Sequence, residues 1–135
     1  MLLLRGRDLL RPWGRFWFTI GGAAEHGETL RAAAAREMRE EVGITIDEAR
    51  LGEPIQAMSV ENVVAGVRIV QDQTFYAVAI PADAAVRLDG MGWLERSTVG
   101  KVAWLTPEDL EADNLARTDP RLPDVMRLAV ATVLR

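Results

Sequence analysis

Short apolar or alternating segments separated by turn-forming residues recur along the chain. Runs of alternating or β-branched residues bounded by Gly, Pro, Asn and Asp are typical of β-strands. Six segments fit this pattern: LLLR (residues 2–5), FWFTI (16–20), PIQAMSVEN (54–62), GVRIV (66–70), QTFYAVAI (73–80) and KVAWL (101–105). We predict that these segments are strands of a mixed or antiparallel sheet.

Three other segments have the pattern of helices. The longest runs from about Glu28 to Val42, is rich in Ala, Arg, Glu and Met, and ends at Gly43, a residue type that commonly follows a helix C-terminus. TPEDLEA begins with an N-cap residue, Thr106, followed by Pro and acidic residues. The tail LPDVMRLAVATVLR, residues 122–135, is amphipathic. Strands flanked by helices predict a layered α/β domain, and 135 residues suffice for one domain.

Composition narrows the chemistry that the chain can perform. There is no cysteine, which excludes disulfides and thiolate metal sites and leaves carboxylates, backbone oxygens and the single His26 as potential metal ligands. The formal net charge of −4 argues against a protein that binds a nucleic acid polymer through counterion release. No apolar run has the length of a signal peptide core or a membrane span. We expect a cytoplasmic protein with a small-molecule partner and no membrane contact.

Three glutamates of the longest predicted helix lie on or beside its apolar side. At about 100° per residue, Glu37 and Glu41 fall within about 20° of Leu30 in the apolar stripe, and Glu40 falls about 80° away. Carboxylates three and four residues apart repel each other. A solvated charged face is the ordinary explanation of such a run, but that face would lie opposite the stripe. A divalent cation that prefers oxygen ligands, Mg²⁺ or Mn²⁺, would supply the counter-charge.

The segment GAAEHGETLRAAAAREMREEVGI, residues 22–44, resembles the Nudix box, Gly-x5-Glu-x7-Arg-Glu-U-x-Glu-Glu-x-Gly-U, where U is aliphatic. All nine specified positions match: Gly22, Glu28, Arg36, Glu37, Met38, Glu40, Glu41, Gly43 and Ile44. The flanking segments FWFTIGG and VAWLTPEDL also resemble MutT-like Nudix domains. The resemblance implies that residues 1–135 form a single Nudix domain, an α/β/α sandwich with a mixed β-sheet. It also implies hydrolysis of a nucleoside diphosphate linked to another moiety, with Mg²⁺ or Mn²⁺ required.

Roles for the charged box residues follow from the same resemblance. Glu37, Glu40 and Glu41 would ligate the metal ions, and the backbone carbonyl of Gly21, just before the box, would add a further ligand. Arg36 would orient a glutamate through a charge-assisted hydrogen bond. Metal ions would bridge the diphosphate oxygens and acidify the water that attacks phosphorus.

Three further box residues have structural roles in this interpretation. Glu28 would hold the loop before the helix, and Gly22 and Gly43 would serve the backbone geometry. The chain departs from the family pattern at Ile20, where many relatives have proline. It also lacks the strand that usually precedes the one at residues 2–5. A shortened sheet, an edge completed by a second subunit in a homodimer and a wrongly assigned start codon would each account for this.

The general base is not determined by the box. Relatives use either a box glutamate or an acid from a loop or strand after it. Glu95, in GWLERSTVG before the late strand, is the leading catalytic candidate outside the box. Asp72 is a weaker candidate, because its use as the base would require a shift in strand register. A surface acid is the alternative interpretation of Glu95.

Basic and aromatic residues near the N-terminus are candidates for substrate binding. Arg5 and Arg7 alternate along the first predicted strand and therefore share one face, where either would bind phosphate. Trp13, Trp17, Phe18 and Tyr76 are candidates for stacking on a base, and Trp13 is the one that lies in a polar, accessible stretch. Phe18 and Trp104 are predicted to pack in the core. Solvated surface arginines are the alternative interpretation of Arg5 and Arg7.

Two other classes of function compete with the enzyme. A catalytically silent Nudix module would sense a nucleotide and regulate a partner, and an interaction protein would use its C-terminal helix. The complete glutamate set favours the enzyme, because a binding module has no need of crowded carboxylates. The moiety attached to the diphosphate is read by loops and strands that the box does not specify.

Overall fold

The computed structural model describes residues 1–8, 11–92, 99–113 and 118–135, with the backbone alone for residues 7–8, 11–15 and 64. Five strands and three α-helices are described in these ranges. The strands are β1 (Leu2–Asp8), β2 (Arg11–Phe18), β3 (Gln56–Val64), β4 (Val67–Phe75) and β5 (Val99–Trp104). The helices are α1 (Leu30–Val42), α2 (Pro107–Ala112) and α3 (Leu122–Val133), and a 3₁₀ turn, Glu48–Leu51, follows α1.

The described strands form two sheets. β1 lies between β2 and β5 in a three-stranded sheet, while β3 and β4 form a two-stranded sheet. Every pairing is antiparallel, one of the two arrangements that the strand pattern left open. The described strands therefore include no parallel pair of the kind that a mixed sheet contains. Two neighbouring strands that are joined by a short connection must run antiparallel. The two-residue turn Ala65–Gly66 joins β3 and β4 in this way.

Helices cover both faces of the three-stranded sheet. Alternation along β1 sends Leu3 to one face, where it packs with Trp17 and with buried residues of α2 and α3. Leu2 and Leu4 point to the other face and pack with Met38 and Val42 of α1. The sheet thus lies between α1 and the α2–α3 pair, which is the predicted α/β/α layering.

Several predicted elements are confirmed and two predictions are wrong. The capping box at Thr106 and the left-handed C-cap at Gly43 are present as expected. The segments GVRIV and QTF belong to one strand, β4, whereas residues 76–80 form no described strand. Trp104 is 45% exposed instead of buried, because β5 has a neighbour on one side alone among the described strands.

The longest helix begins two residues later than predicted. Thr29 is its N-cap and accepts a hydrogen bond from the Ala32 backbone N–H at 3.1 Å. Glu28 therefore lies in the preceding loop and is free to turn toward another partner. Within the described ranges, no helix has both the length and the apolar character needed to cross a membrane.

Candidate active site

The three box glutamates of helix α1 differ in solvent exposure. Glu37 and Glu41 are buried, with 9% and 7% of their surface exposed, whereas the side chain of Glu40 is 45% exposed. The helical positions predicted this difference, since Glu37 and Glu41 share the side that buries Met38 and Val42. Two carboxylates are therefore held in a place that ordinarily requires a counter-charge or several hydrogen bonds.

The segment Gly21–Gly22 lies directly against these two carboxylates. The Gly21 backbone N–H donates a hydrogen bond to Oε2 of Glu41 at 2.8 Å. A Cβ atom on Gly22 would overlap the carboxylate of Glu37, lying 2.6 Å from its Cδ. Glycine is needed at position 22 because a carboxylate occupies the space that a side chain would fill.

Arg36 connects the loop before α1 to the glutamates on it. Its Nε and Nη2 atoms donate to the two carboxylate oxygens of Glu28, at 2.9 and 3.0 Å. Its Nη1 atom donates to Glu37 at 2.9 Å and to Glu40 at 3.0 Å. Nη2 also donates to the backbone carbonyl of Ala23 at 3.0 Å. One planar guanidinium therefore holds both ends of the box, a task for which its fork of donors is suited.

Glu28 is strongly favoured in its charged form. The guanidinium of Arg36, together with the Glu25 backbone N–H at 2.9 Å, lowers the pKa of Glu28 from 4.5 to about 2. The hydrogen bonds from Arg36 to Glu28 and to Glu37 raise the pKa of Arg36 further above its usual value. Arg36 shares its single positive charge among three carboxylates, so this group of four side chains keeps two negative charges in excess.

The donor set fits a hard divalent cation in its chemistry. The oxygens of Glu37, Glu40 and Glu41 are ligands that Mg²⁺ and Mn²⁺ prefer, and the excess negative charge favours a cation. In the described part of the chain, however, no three ligand side chains converge closely enough to share an ion. Glu37 and Glu40 turn toward Arg36, and Glu41 turns toward the Gly21 amide.

Comparison with known families decides what this arrangement is. A family model described as the NUDIX domain matches residues 1–128. The chain belongs to the Nudix family. Membership makes it a hydrolase of phosphoric anhydrides with a small-molecule nucleotide substrate.

Solved structures share the Nudix fold of this chain. The solution structure of the E. coli ORF135 protein is 22% identical, with a TM-score of 0.58 over 96% of this chain and 79% of that one. The crystal structure of a C. elegans Ap4A hydrolase binary complex is 20% identical, with a TM-score of 0.56 over 97% and 83%. No curated protein matches the sequence significantly.

The Nudix domain places the other predicted site residues apart from the box glutamates or outside the described residues. Glu95 and the side chains of Arg7 and Trp13 lie outside the described residues. The guanidinium of Arg5 lies over the ring of Trp17, 5.9 Å from its centroid. Asp72, on β4, is exposed and accepts a hydrogen bond from the Ser59 hydroxyl at 2.6 Å.

The structure contains a cleft that the sequence interpretation did not locate, lined by residues outside the Nudix box. The cleft encloses about 430 Å³ between β2, the β3–β4 sheet and the start of α3. Trp17 and Thr19 line one side and the amide side chains of Asn62 and Gln73 the other, with Leu122 from the helix. The β3–β4 hairpin places Asn62 and Gln73 on one face, but the approach of that face to β2 and α3 depends on long-range packing that no local pattern predicts.

The wall of this cleft at β2 is held in place by hydrogen bonds. The indole N–H of Trp17 donates to Asp113 at 2.9 Å, and its backbone N–H donates to the Thr118 hydroxyl at 3.0 Å. Thr19 is two residues from Gly21, whose amide contacts Glu41. A single residue, Ile20, therefore separates Thr19 at the cleft from Gly21 at the box glutamates along the chain.

Proposed function

We propose that this Nudix domain is a metal-dependent pyrophosphohydrolase. Glu37, Glu40 and Glu41, with the Gly21 carbonyl, would hold Mg²⁺ or Mn²⁺. Its substrate would be a nucleoside triphosphate or a nucleotide-sugar or ADP-ribose type of diphosphate, cleaved by attack of water at phosphorus. The observation that carries the proposal is the burial of Glu37 and Glu41 against Gly21–Gly22 in a group with excess negative charge.

Each residue of the box has a definite task in this proposal. When bound, the metal would neutralise the diphosphate oxygens and lower the pKa of the attacking water. Arg36 keeps Glu37 and Glu40 in fixed orientations, and the Gly21 amide does the same for Glu41. A box glutamate or Glu95 would accept the proton from the attacking water.

The nucleoside part of the substrate would enter the cleft between β2 and the β3–β4 sheet. Trp17, which is only 6% exposed, forms a fixed apolar part of the wall. The amides of Asn62 and Gln73 offer both hydrogen-bond donors and acceptors. Such a site is mostly apolar with a few polar groups, as small-molecule sites commonly are. To reach the box glutamates, the diphosphate would have to extend from Thr19 past Gly21, whose amide contacts Glu41.

The test is the release of phosphate or pyrophosphate from a panel of substrates, with Mg²⁺ and with Mn²⁺. The panel comprises nucleoside triphosphates, ADP-ribose, nucleotide sugars and dinucleoside polyphosphates. Selective turnover of one class that disappears in the presence of a chelator would support the proposal and name the substrate. Silence across the panel, together with nucleotide binding measured by calorimetry, would instead favour the nucleotide-sensing module.

Glu41→Gln tests the proposed metal ligand in a variant whose fold should be preserved. The amide oxygen of glutamine still accepts the Gly21 N–H, so the melting temperature should stay close to that of the wild type. Turnover should fall by about 100-fold or more, the scale of losing one charge that acts on the reacting centre. Glu53→Gln, at a fully solvated glutamate, is the matched control and should keep its activity. Wild-type turnover in Glu41→Gln would refute the ligand assignment.

A further inference from the structure

The β3–β4 sheet exposes an unusual amount of apolar surface. Four of its β-branched residues are largely solvent-accessible: Val63 at 69%, Val67 at 61%, Val70 at 57% and Ile69 at 39%. In the described part of the chain, β4 pairs with β3 and with no other strand. A long strand with apolar side chains and one unoccupied edge is a ready template for pairing with another strand.

The sequence of β4 restricts how it can pair with a second copy of itself. A two-fold axis between antiparallel strands must pass beside one residue, because directly opposite residues point to the same face of a sheet. That residue lies opposite the same residue of the second copy. A residue a given number of positions before it lies opposite the residue the same number of positions after it in the second copy. Each residue of β4 therefore defines one register that can be checked for complementarity.

The register centred on Val70 is complementary in charge. It places Arg68 opposite Asp72 of the second copy, and by symmetry it does so twice. Val70 then lies opposite Val70, so an apolar pair separates the two ionic pairs. A centre at Arg68 or at Asp72 would set like charges opposite each other. No other centre on β4 brings opposite charges together, and β3 carries one charge alone, that of Glu61.

The existing contacts of these side chains are compatible with such pairing. Arg68 forms an exposed ion pair with Glu61 at 2.6 Å, and Asp72 accepts from Ser59. A guanidinium has five N–H donors and a carboxylate accepts several hydrogen bonds, so each can take a second partner. Arg68 would then bridge Glu61 of its own chain and Asp72 of the second copy.

We infer that this chain forms a two-fold dimer in which the outer edges of two β4 strands pair in the register centred on Val70. The product is a continuous four-stranded antiparallel sheet in the order β3-β4-β4-β3. The inference is independent of the proposed enzyme activity. It rests on the exposure and charge order of β4 and on its outer edge, which pairs with no strand among the residues that the structure describes. Its tests read association, so their failure is distinct from failure of the activity.

Sedimentation equilibrium and a single introduced cysteine test the register. The wild type should sediment with twice the 14.9 kDa mass of one chain, and a monomer at every concentration would overturn the inference. The chain has no native cysteine, so Val70→Cys places one thiol opposite its copy. The two Cα atoms would be about 4.5–5.5 Å apart, within the reach of a disulfide.

Val63→Cys is the matched control for cross-linking. Val63 is more exposed than Val70 but lies on β3, away from the axis. Under mild oxidation, Val70→Cys should form cross-linked dimers at least ~10-fold faster than Val63→Cys, because pairing raises the local thiol concentration. Equal rates, or a faster rate for Val63→Cys, would show that collisions alone bring the thiols together and would overturn the register.

Reversing the charge of Arg68 or of Asp72 gives a second test of the register. Asp72→Arg alone sets Arg opposite Arg in the dimer, and Arg68→Asp alone sets Asp opposite Asp, so each should be monomeric at low salt. Mixing the two variants restores both ionic pairs and should yield a heterodimer. Melting by circular dichroism establishes that each variant is folded. Heterodimer formation supports the inference, and two folded variants that stay monomeric when mixed, or that dimerise alone, contradict it.

Discussion

The box region, residues 21–43, and the β3–β4 sheet differ in how their side chains are constrained. In the box region, Arg36 contacts three carboxylates and the Glu37 carboxylate occupies the place of a side chain at Gly22. In the β3–β4 sheet the strands alternate regularly, yet Val63 and Val67 remain exposed. Apolar alternation alone therefore does not reveal which surface is buried, whereas interlocking polar contacts restrict each residue closely.

The two regions also use charge differently. Arg36, Glu28 and Glu37 lie largely out of solvent, so the geometry of the hydrogen bonds between them matters. Arg68 and Glu61 on the β3–β4 sheet are more than half exposed, and such pairs contribute little to stability. Substitutions of the same kind should therefore have large effects in the box region and small effects in the β3–β4 sheet.

Gly22→Ala should give the largest difference. The new methyl group would displace the Glu37 carboxylate, and a shift of about 1 Å in a catalytic group can cost about 100-fold in turnover. Overpacking should also cost about 1–3 kcal/mol of unfolding free energy. Steady-state kinetics and denaturant unfolding measure the two effects.

Gly66→Ala is the control in the β3–β4 sheet. Gly66 has φ of +78° with no atom near its would-be side chain, so alanine there costs about 1 kcal/mol of backbone strain without overlap. Its turnover per folded molecule should match the wild type. Equal losses of turnover in both variants would show that strain, not the displaced carboxylate, reduces the activity of Gly22→Ala.

Arg36→Lys should lower turnover by about 10-fold or more, since side chains that orient metal ligands contribute on that scale. A lysine cannot donate to Glu28, Glu37 and Glu40 at once in the geometry of a planar fork. Arg68→Lys, the same exchange at the exposed pair, should leave turnover unchanged. Steady-state turnover of the substrate identified in the panel distinguishes the two variants. Equal activity of the wild type, Arg36→Lys and Arg68→Lys would contradict a positioning role for Arg36.

Glu28→Gln should alter the acid side of the stability profile. The pKa of Glu28 is lowered from 4.5 to about 2, so its stabilising contribution is present above about pH 4.5 and is lost as the pH falls toward 2. Melting temperatures of the metal-free wild type and variant should differ most at neutral pH and converge near pH 2. A difference that stays constant from pH 7 to pH 2 would argue against the charged pair with Arg36.

Val63→Thr should have the smallest effect. Val63 is 69% exposed, so the unfolding free energy should change by no more than about 0.5 kcal/mol. The same exchange at Val42, which is fully buried on α1, should cost about 1–3 kcal/mol because its hydroxyl is desolvated. Denaturant unfolding compares the two, and a large loss in Val63→Thr would mean that this face of the sheet is covered.

Residue types and periodicity within one or two helical turns predicted those features of the structure that depend on neighbouring residues in the sequence. The capping at Thr106 and Gly43 follows from residue types within one turn of each helix end, and both are present. The helical positions of Glu37 and Glu41 likewise followed from periodicity alone. The exposure of Trp104 did not, because it depends on which strand has a neighbour in the sheet.

Long-range packing explains what the sequence did not reveal about the site. A Cβ atom on Gly90 would lie 2.6 Å from the backbone oxygen of Glu40, so the segment around it packs closely on the end of α1. The backbone N–H of Arg87 also donates to the Val42 carbonyl at 2.8 Å. Neither contact has a local pattern, and the cleft likewise arises where the β3–β4 hairpin packs opposite β2 and α3, which are distant in the sequence.

The central position of β1 has a consequence for synthesis of the protein. β1 pairs with β2 almost at once, but its other neighbour, β5, begins at Val99. At about 5–20 residues per second, a ribosome needs on the order of 10 s to make the chain between them. During that interval one edge of β1 has no β5 beside it. The helices that pack on Leu3 follow β5 and have not yet been synthesised. The leucines that are fully buried in the folded protein, Leu3 and Leu4, are therefore synthesised well before β5 and the last two helices that complete their surroundings.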